Sequence, residues 1–381
     1  MPETMTSRQR MLAAINNQKP DRVPVAPDIS YMVPTRLTGK GFYSVFIDSE
    51  PPLWRAYIDA VKYYGMDGWF TYGWLGYQTR DVTRSEKWIL WTDARRVQEV
   101  TWHTPAGDLT EEFLYVPDMP PTYIKKMIVD LDRDWPRFKY ILGEIESCDL
   151  SGIEVMRQEL GELGVFGCCL ATPGFHIWNN WFQGNVNALC QVLITRPEIF
   201  DELLELHDRR LMEELEWLLR CNPDLILTGG SGGLQLASPD LWMKYALPNL
   251  KKQCRVCKER GVPTMVHSCG RQKFMIEVCA RETDLNCLNP LEIPPMGDCT
   301  LAEAKAMVCG SNLTLMGNLH TTEVMLRGTV EQVKAAARQA IDDAGAGGGF
   351  ILSTGDQCGR DTPDENIFAM VEVAKTYGRY D

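Results

Sequence analysis

The sequence predicts an α/β protein, a (β/α)8 TIM barrel with an N-terminal helical extension and a β-hairpin insertion near residues 85–120. From about residue 150 onward, short apolar runs alternate with amphipathic segments, which is the pattern of strands that are each followed by a helix. The runs are apolar at almost every position, as expected of parallel strands covered on both faces. About eight such runs occur along the chain, and eight strands close a barrel.

The N-terminal part contributes the first two predicted strands. These are "RVPVAPDIS" (22–30) and "GMDGWFTYG" (65–73), with a helix at 53–65 between them. The following stretch, "WTDARRVQEVTWHTPAGDLTEEFLYV", predicts antiparallel hairpins around "PAGD" instead of another strand–helix unit. We expect this insertion to cap one mouth of the barrel.

Six further strands alternate with helices in the rest of the chain. The strands are "VFGCCLATPG", "DLILTGG", "PTMVHSCG", "CLNPLEI", "LTLMGNL" and "GGFILSTGD". Ser238 and Thr300 are predicted to cap the N-termini of two of the helices, the first covering "SPDLWMKYALPNLKKQCRVCKERG". The last helix begins near Pro363, and it either packs on the barrel or pairs with a second subunit in a homodimer. Since no linker or low-complexity segment separates these units, residues 1–381 are predicted to form one domain.

Composition excludes several classes of partner. The 381 residues carry a formal net charge of −12, which disfavours binding to nucleic acid or to an anionic membrane. No run of about 18 apolar residues spans a bilayer, and the start lacks an apolar signal core, so we expect a cytoplasmic protein. The 13 cysteines are expected to be reduced thiols and would suit an anaerobic cell.

His267 and Cys269, in "VPTMVHSCGRQKF", lie two residues apart at the end of a predicted strand. Their side chains therefore point to the same side of the sheet, at the strand end where barrel enzymes place their reactive groups. Imidazole and thiolate are good ligands for Zn²⁺. The alternative interpretation, a core histidine beside an uninvolved thiol, is about equally compatible with this pair alone.

A third ligand has to come from another strand end. Cys358 follows the last strand, and barrel closure brings the strand ends around one mouth. Cys309 is a rival, but it is predicted to end a helix on the far face. Cys254 and Cys257 form a C-x-x-C on an amphipathic helix without a second pair at zinc-finger spacing, which favours a structural role.

Several segments resemble the uroporphyrinogen decarboxylase superfamily. They are "DRVPV", "SPDLWMKYALP", "NPLEIPPMGDCTLAEAK", "LMGNLHTTEVMLRGTVEQV" and "GGGFILSTGDQC…TPDENIFAMVEVAKTYGRY". The resemblance extends from about residue 6 to the end and is weakest over residues 70–150. "HSCG" followed by a late cysteine resembles the H-x-C…C zinc pattern of the cobalamin-dependent methyltransferase branch.

The resemblance implies a barrel whose zinc ion, held by His267, Cys269 and Cys358, activates one partner in a methyl transfer with a corrinoid protein. The chain departs from its relatives at two places. The decarboxylases carry an arginine-rich N-terminal loop, whereas "PDISYMVPTRLTGKG" offers Arg36 alone. Coenzyme M methyltransferases often have an acidic residue where Gly229 and Gly230 stand. The fourth zinc donor stays open among residues at predicted strand ends, which are Asp28, Glu292 and Asp356.

The tryptophans and tyrosines concentrate in the first half of the chain, where "DGWFTYGWLGY" and "HIWNNW" predict walls of a flat apolar pocket. Core packing is the alternative role for each of these rings. The candidate substrate contacts are Trp69, Trp74, Trp178, Trp181 and Asn318. The candidate catalytic residues are Tyr31, His176, Glu292 and Asp356.

The aromatic content favours a methoxylated donor such as a methoxybenzene, whose methyl group passes to the Co(I) of a corrinoid on a partner protein. No D-x-H-x-x-G cobalamin-binding signature occurs here, so the corrinoid is expected on that partner. The first alternative is a methyl-corrinoid:thiol methyltransferase of the coenzyme M type. A decarboxylase and a corrinoid-binding accessory protein are further alternatives.

Overall fold

The computed structural model describes residues 3–380, and its centre is a curled parallel sheet of seven strands. In order across the sheet these are β1 (Gly68–Gly73), β8 (Gly164–Cys169), β9 (Leu225–Gly229), β10 (Thr264–His267), β11 (Cys287–Leu291), β12 (Thr314–Leu319) and β13 (Phe350–Thr354). Every neighbouring pair is parallel. The α/β barrel predicted from the sequence is confirmed, and all seven of these strands coincide with predicted runs.

The predicted first strand, 22–30, is not a regular strand. Val25 makes a single parallel bridge to Leu352 of β13, while the carbonyl of Val25 accepts a hydrogen bond from the N–H of Asp67 (2.8 Å) just before β1. The segment therefore closes the gap between the last and first strands of the sheet. Pro24 and Pro27 cannot donate backbone hydrogen bonds, which explains why the ladder stops at one bridge.

Most of the helices cover the outside of the sheet. The N-terminal ones are α1 (Ser7–Ile15), α2 (Met32–Leu37), α3 (Phe42–Phe46) and α4 (Leu53–Tyr64). Those that follow are α5 (Leu131–Ile141), α6 (Ser151–Leu160), α7 (Phe175–Trp178), α8 (Asn185–Thr195), α9 (Pro197–Arg220), α10 (Pro239–Tyr245), α11 (Leu247–Glu259), α12 (Lys273–Glu282), α13 (Leu301–Met307), α14 (Val330–Ala344) and α15 (Asp364–Thr376). A short 3₁₀ turn spans Gly161–Leu163 and a π-helix spans Thr321–Leu326.

Helix ends agree with the predicted caps, with one difference. Ser238 accepts a hydrogen bond from the N–H of Leu241, and Thr300 forms a capping box with Glu303. The predicted helix after Ser238 is divided into α10 and α11 near Pro248, because proline lacks the N–H that would continue the helix. The last helix, α15, packs on the barrel, with Ile367 and Met370 fully buried.

An antiparallel sheet interrupts the barrel after β1. It comprises β3 (Thr83–Trp91), β4 (Arg96–Thr104), β5 (Gly107–Val116) and β6 (Met119–Lys125), paired in that order. A smaller pair, β2 (Gly76–Thr79) with β7 (Ile145–Asp149), connects it to the barrel. The predicted hairpin insertion is thus confirmed, and it is wider than residues 85–120. We call β3 to β6 the inserted sheet.

Helix α1 packs against the interior of the barrel at the amino ends of the strands. Its buried residues Met11, Ala14 and Ile15 join one apolar cluster with inward-facing strand residues. That cluster also contains Trp69, Val165, Leu225, Met265, Cys287, Met316 and Ile351. The hydroxyl of Thr314 donates to the carbonyl of Ala14 (2.6 Å). The amino end of the barrel is therefore filled by α1, which leaves the opposite end for chemistry.

Among residues 3–380, no helix combines the length and the apolar character that crossing a membrane requires.

Candidate metal centre and cavity

Three ligand-type side chains meet at the carboxyl ends of the barrel strands. Cys269 follows β10, Glu292 follows β11 and Asp356 follows β13. One ligand atom from each lies within 4.8 Å of the other two. The sequence predicts Cys269 as a zinc ligand and the two carboxylates as candidate fourth donors and catalytic residues, and the barrel brings these three together. We call them the thiol–carboxylate cluster.

Electrostatics in the cluster favour a cation. Burial raises the pKa of Glu292, although its carboxylate accepts a hydrogen bond from the N–H of Gly270 (2.5 Å). Burial, together with the charges of Asp356 and Glu292, raises the pKa of the Cys269 thiol to about 11. Within the described part of the chain, no lysine or arginine forms an ion pair with either carboxylate. One thiol and two uncompensated carboxylates are a donor set that fits a divalent cation such as Zn²⁺.

His267 lies beside the cluster, and its orientation is set by the neighbouring strand. His267 and Asn289 are register partners in β10 and β11. The imidazole Nδ1 lies 2.8 Å from the amide oxygen of Asn289, and Nε2 lies 3.3 Å from the hydroxyl of Ser231. An amide oxygen can only accept, so this contact requires a proton on Nδ1, and the lone pair of a neutral imidazole is then on Nε2. This is the tautomer that a metal-binding histidine requires.

Cys358, the third predicted ligand, is not part of the thiol–carboxylate cluster. It is fully buried, and its backbone N–H donates to the carbonyl of Asp28 (2.8 Å). Burial, with the nearby charge of Asp28, raises the pKa of its thiol to about 12. In this conformation the thiol packs among side chains beneath the mouth, and its role as a zinc ligand stays a prediction.

Asp28 is the remaining donor that the sequence suggested. Its side chain is 5 % exposed and accepts hydrogen bonds from the backbone and the hydroxyl of Ser30. Burial raises the pKa of this carboxyl, and the charge of Asp356 acts in the same direction. Asp28 lines the same cavity as His267 and Asp356, so a further carboxyl group lies next to the cluster.

A cavity of about 470 Å³ opens beside these groups. Three of the predicted aromatic and phenolic residues line it, which are Tyr31, Trp69 and Trp74. The other apolar side chains of its wall are Leu170, Ala171, Ile177 and Leu227. Trp74 is 61 % exposed at the rim, whereas Trp69 is almost fully buried. The volume lies within the range of small-molecule sites, and the wall is mainly apolar with a few polar groups at one side.

Trp178 and Trp181, which were predicted to stack on a substrate, lie elsewhere. Trp178 is fully buried, and its indole N–H donates to His207 Nδ1 (3.0 Å). Trp181 packs against Phe138 with a ring-centroid distance of 5.0 Å. Both indoles belong to a second apolar cluster under the inserted sheet, and neither lines the cavity. This placement gives them a packing role and removes them from our candidate substrate contacts.

His176 and Asn318 also differ from the expected positions. His176 lies below the turn at Gly229 and Gly230, with Nε2 at 3.2 Å from the hydroxyl of Thr172, and burial lowers its pKa to about 4. A side chain on Gly230 would collide with this imidazole (2.6 Å). His176 therefore supports the loop and does not line the main cavity. Asn318 is half-buried near the end of β12, outside the cavity wall, and its role stays a prediction.

Two residues of the site were not identified from the sequence. Asn289 stands inside "CLNPLEI", where it resembles any polar residue of a strand. Its importance becomes visible only from the register that places it beside His267. Ser231 follows the two glycines in a loop, and only the fold shows that it faces the imidazole. Neither residue type carries a spacing signal of its own.

The inserted sheet approaches the same mouth. The N–H of Phe42 donates to the carbonyl of Pro117 (3.2 Å) in the β5–β6 turn. Arg360, two residues after Cys358, lies 3.6 Å from the carboxylate of Asp118 in that turn. Large apolar residues at the outer part of the sheet are exposed, among them Trp88, Ile89, Trp91, Met119, Tyr123 and Ile124. The inserted sheet therefore has an exposed aromatic surface, and its β5–β6 turn contacts the loop after Cys358.

The fold and the site together define a class of protein. It is a TIM-barrel protein with a candidate metal centre and a largely apolar cavity at the carboxyl ends of its strands.

The chain belongs to the uroporphyrinogen decarboxylase (URO-D) family, whose model matches residues 150–377. It is 27% identical to the methylcobamide:CoM methyltransferase MtbA of Methanosarcina mazei over 279 residues, which are 71% of this chain and 74% of the relative. It is also 27% identical, over 38% of each chain, to a uroporphyrinogen decarboxylase of Anaeromyxobacter dehalogenans. A solved methyltransferase from Methanosarcina mazei shares the fold, with a TM-score of 0.66 at 17% identity, covering 98% of this chain and 99% of the other.

Proposed function

We propose that this protein is a zinc-dependent methyltransferase that moves a methyl group from a methoxylated aromatic substrate to the Co(I) of a corrinoid on a partner protein. The observation that carries this proposal is that one cavity has an aromatic wall beside a candidate metal centre. Tyr31, Trp69 and Trp74 provide an aromatic wall, and His267 and Asp356 connect that wall to the thiol–carboxylate cluster. Relatives named methylcobamide:CoM methyltransferases support a corrinoid as the second reactant.

Cys269, Glu292 and Asp356 are the proposed zinc ligands, and His267 Nε2 is the proposed further donor. Their chemistry and their lack of ion-pair partners support this assignment, as described above. Zinc bound there would act as a Lewis acid on the ether oxygen, which makes an aryloxide a better leaving group. Cys358 stays a predicted ligand, and the metal content of its serine variant tests it.

The chain's own residues position the donor and hydrogen-bond its leaving oxygen, and the proton that this oxygen takes up comes from solvent. In O-demethylation the methyl–oxygen bond breaks, the methyl group goes to cobalt, and the leaving oxygen ends as a phenol after taking up one proton. Burial, with Cys169 and Asp28 nearby, raises the pKa of Tyr31, so its phenol stays protonated and can donate a hydrogen bond to that oxygen. Trp69 and Trp74 would hold the substrate ring against the apolar wall.

The corrinoid partner is proposed to dock over the mouth of the barrel. Since α1 fills the amino end, a cobalt atom can approach the cluster only from the carboxyl side. The inserted sheet borders that side and exposes Trp88, Trp91 and Tyr123. Aromatic side chains of this kind are enriched in protein interfaces, so the sheet is the proposed contact surface.

A second candidate function is methyl transfer from a methyl-corrinoid to a small thiol of the coenzyme M type. The names of the relatives favour it. The composition of the cavity wall disfavours it, because a sulfonate is best held by lysine or arginine and neither residue type is among the described residues that line the cavity.

The experiment that separates the two functions is an assay of the purified protein with free cob(I)alamin and a panel of methoxybenzenes. The proposed function predicts formation of the matching phenols and methylcobalamin, and loss of both in Cys269→Ser. Cys309→Ser, an exposed thiol outside the site, is the matched control and should retain activity. Consumption of methylcobalamin with coenzyme M, and no phenol from any methoxybenzene, would establish the second function instead.

A further inference from the structure

No lysine or arginine contributes a positive charge to the described wall of the cavity. Its titratable side chains are Asp28, Tyr31, Cys169, His267 and Asp356, and no lysine or arginine is among the described residues that line it. Arginines 271 and 360 belong to the mouth loops but stand outside the cavity wall. Arg360 is paired with Asp118 and Asp361.

A bound divalent cation would not reverse this balance. Metal ligands are deprotonated, so a metal-bound cluster would contain one thiolate and two carboxylates, each with one negative charge. A divalent ion cancels two of these charges, and Asp28 adds no positive one. With the ether oxygen at the metal, an anionic substituent has to lie against the apolar wall, where it loses water without meeting a lysine or arginine, which is unfavourable.

We propose that this site takes methyl donors without a negative charge and rejects those that carry a carboxylate. The inference rests on the proposed function and specifies its substrate class, which is neutral methoxyarenes and not methoxybenzoates. The apolar wall and the absence of lysine and arginine from it are the observations that carry it.

Thr71 offers a place to test the charge without altering the proposed ligands or ring contacts. It lies on β1 two residues after Trp69, so both side chains face the same side of the strand, and it lines the cavity. A lysine there would put one positive charge into the wall. Glutamine has a polar side chain of comparable reach without the charge, so Thr71→Gln is the matched control for Thr71→Lys.

The test is equilibrium binding of 3-methoxybenzamide and 3-methoxybenzoate to the zinc-loaded protein, followed by tryptophan fluorescence and confirmed by calorimetry. The two ligands have nearly the same shape and differ in charge. We expect the amide to bind at least about tenfold more tightly, a ratio typical of one unpaired polar contact. Thr71→Lys should reduce or invert this ratio, whereas Thr71→Gln should preserve it.

Equal or tighter binding of the benzoate by the wild type would overturn the inference, and so would binding of neither ligand. A ratio that stays the same in Thr71→Lys, when circular dichroism shows that the variant is folded, would also count against it. Binding is measured without cob(I)alamin, so this result is independent of the turnover assay. A protein that binds the amide but never releases the phenol would contradict the proposed function and leave the charge preference standing.

Discussion

The Nδ1 atom of His267 and the side-chain oxygen of Asn289 lie 2.8 Å apart, across two neighbouring parallel strands that are paired in register. This contact fixes the tautomer of the imidazole and turns Nε2 toward Ser231 and the cavity. We expect Asn289→Ala to lower zinc affinity by about 10- to 100-fold, the usual loss when the partner of a metal-binding histidine is removed. Competition with a chromophoric chelator measures the zinc affinity of the variant and of the wild type. Asn312→Ala, at an exposed position elsewhere, is the control, and equal affinities would show that Asn289 does not orient a ligand.

Metal content distinguishes the two proposed ligand sets. Cys269 is common to both, so Cys269→Ser should lose most of the bound zinc, while Cys309→Ser should retain one zinc per chain. Cys358→Ser should lose zinc only if the buried Cys358 thiol turns toward the cluster when metal binds. Inductively coupled plasma mass spectrometry on the three variants gives the answer. Retention of zinc in Cys269→Ser would reject the proposed centre.

Asp67 anchors the N-terminal extension to the barrel through two buried arginines. Its carboxylate oxygens lie 2.6 Å from Arg10 and 2.7 Å from Arg22, and all three side chains are almost completely buried. Asp67→Ala leaves two buried guanidinium groups short of a partner, so the free energy of unfolding should fall by about 3 to 5 kcal/mol. Urea unfolding tests this, with the exposed Asp59→Ala as control. A loss below about 1 kcal/mol would contradict a central role for Asp67 in this network.

Acid sensitivity should arise in part from Asp21. Burial raises the pKa of this carboxyl, but hydrogen bonds from Arg10 and from the N–H groups of Thr4 and Met5 outweigh burial and lower the pKa from 3.8 to about 2. A lowered folded-state pKa contributes stability above pH 3.8 that is lost as the pH falls toward 2. The Asp21 side chain is only 13 % exposed, and a shift of this size contributes about 2 kcal/mol. Unfolding measured from pH 5 to pH 2 should show a smaller decrease in Asp21→Asn than in the wild type, and identical decreases would refute this origin.

Replacing a core tryptophan and a cavity tryptophan by alanine should have different effects, the first on stability and the second on ligand binding. Trp178→Ala removes a fully buried indole and should destabilise the fold by about 3 to 5 kcal/mol. Trp74→Ala, at the exposed rim of the cavity, should leave the melting temperature nearly unchanged and weaken binding of 3-methoxybenzamide. Thermal unfolding and ligand titration of both variants test this assignment. The reverse pattern would return Trp178 to the substrate site.

The barrel itself was predictable because its strands are recognisable from their apolar composition. Runs such as "DLILTGG" and "GGFILSTGD" are apolar on both faces, and only a covered parallel strand needs this composition. The two departures have a common cause in proline. Pro24 and Pro27 reduce the first strand to one bridge, and Pro248 divides one predicted helix into two. A hydropathy pattern contains no information about a missing backbone N–H, so it overestimates regular structure at these residues.

The site was predictable where a residue follows a strand directly. Cys269, Glu292 and Asp356 satisfy that condition, and the barrel brings them within reach of one another. Aromatic residues outside the strands were less predictable. Trp178 and Trp74 have similar surroundings in the sequence, yet one is a core residue and the other lies at the cavity rim, because the orientation of a short helix depends on the tertiary packing around it.

Helix α1 fills the amino end of the barrel with Met11, Ala14 and Ile15, so the entrance to the cavity lies at the carboxyl ends of the strands. If a protein partner covers that entrance during methyl transfer, the small donor cannot enter or leave while the partner is bound. The kinetics should then follow a compulsory order, in which the donor binds first and its phenol departs last. An excess of the corrinoid partner would then bind the donor-free protein and slow turnover. Inhibition by excess partner is therefore the kinetic result expected when the amino end of the barrel is filled.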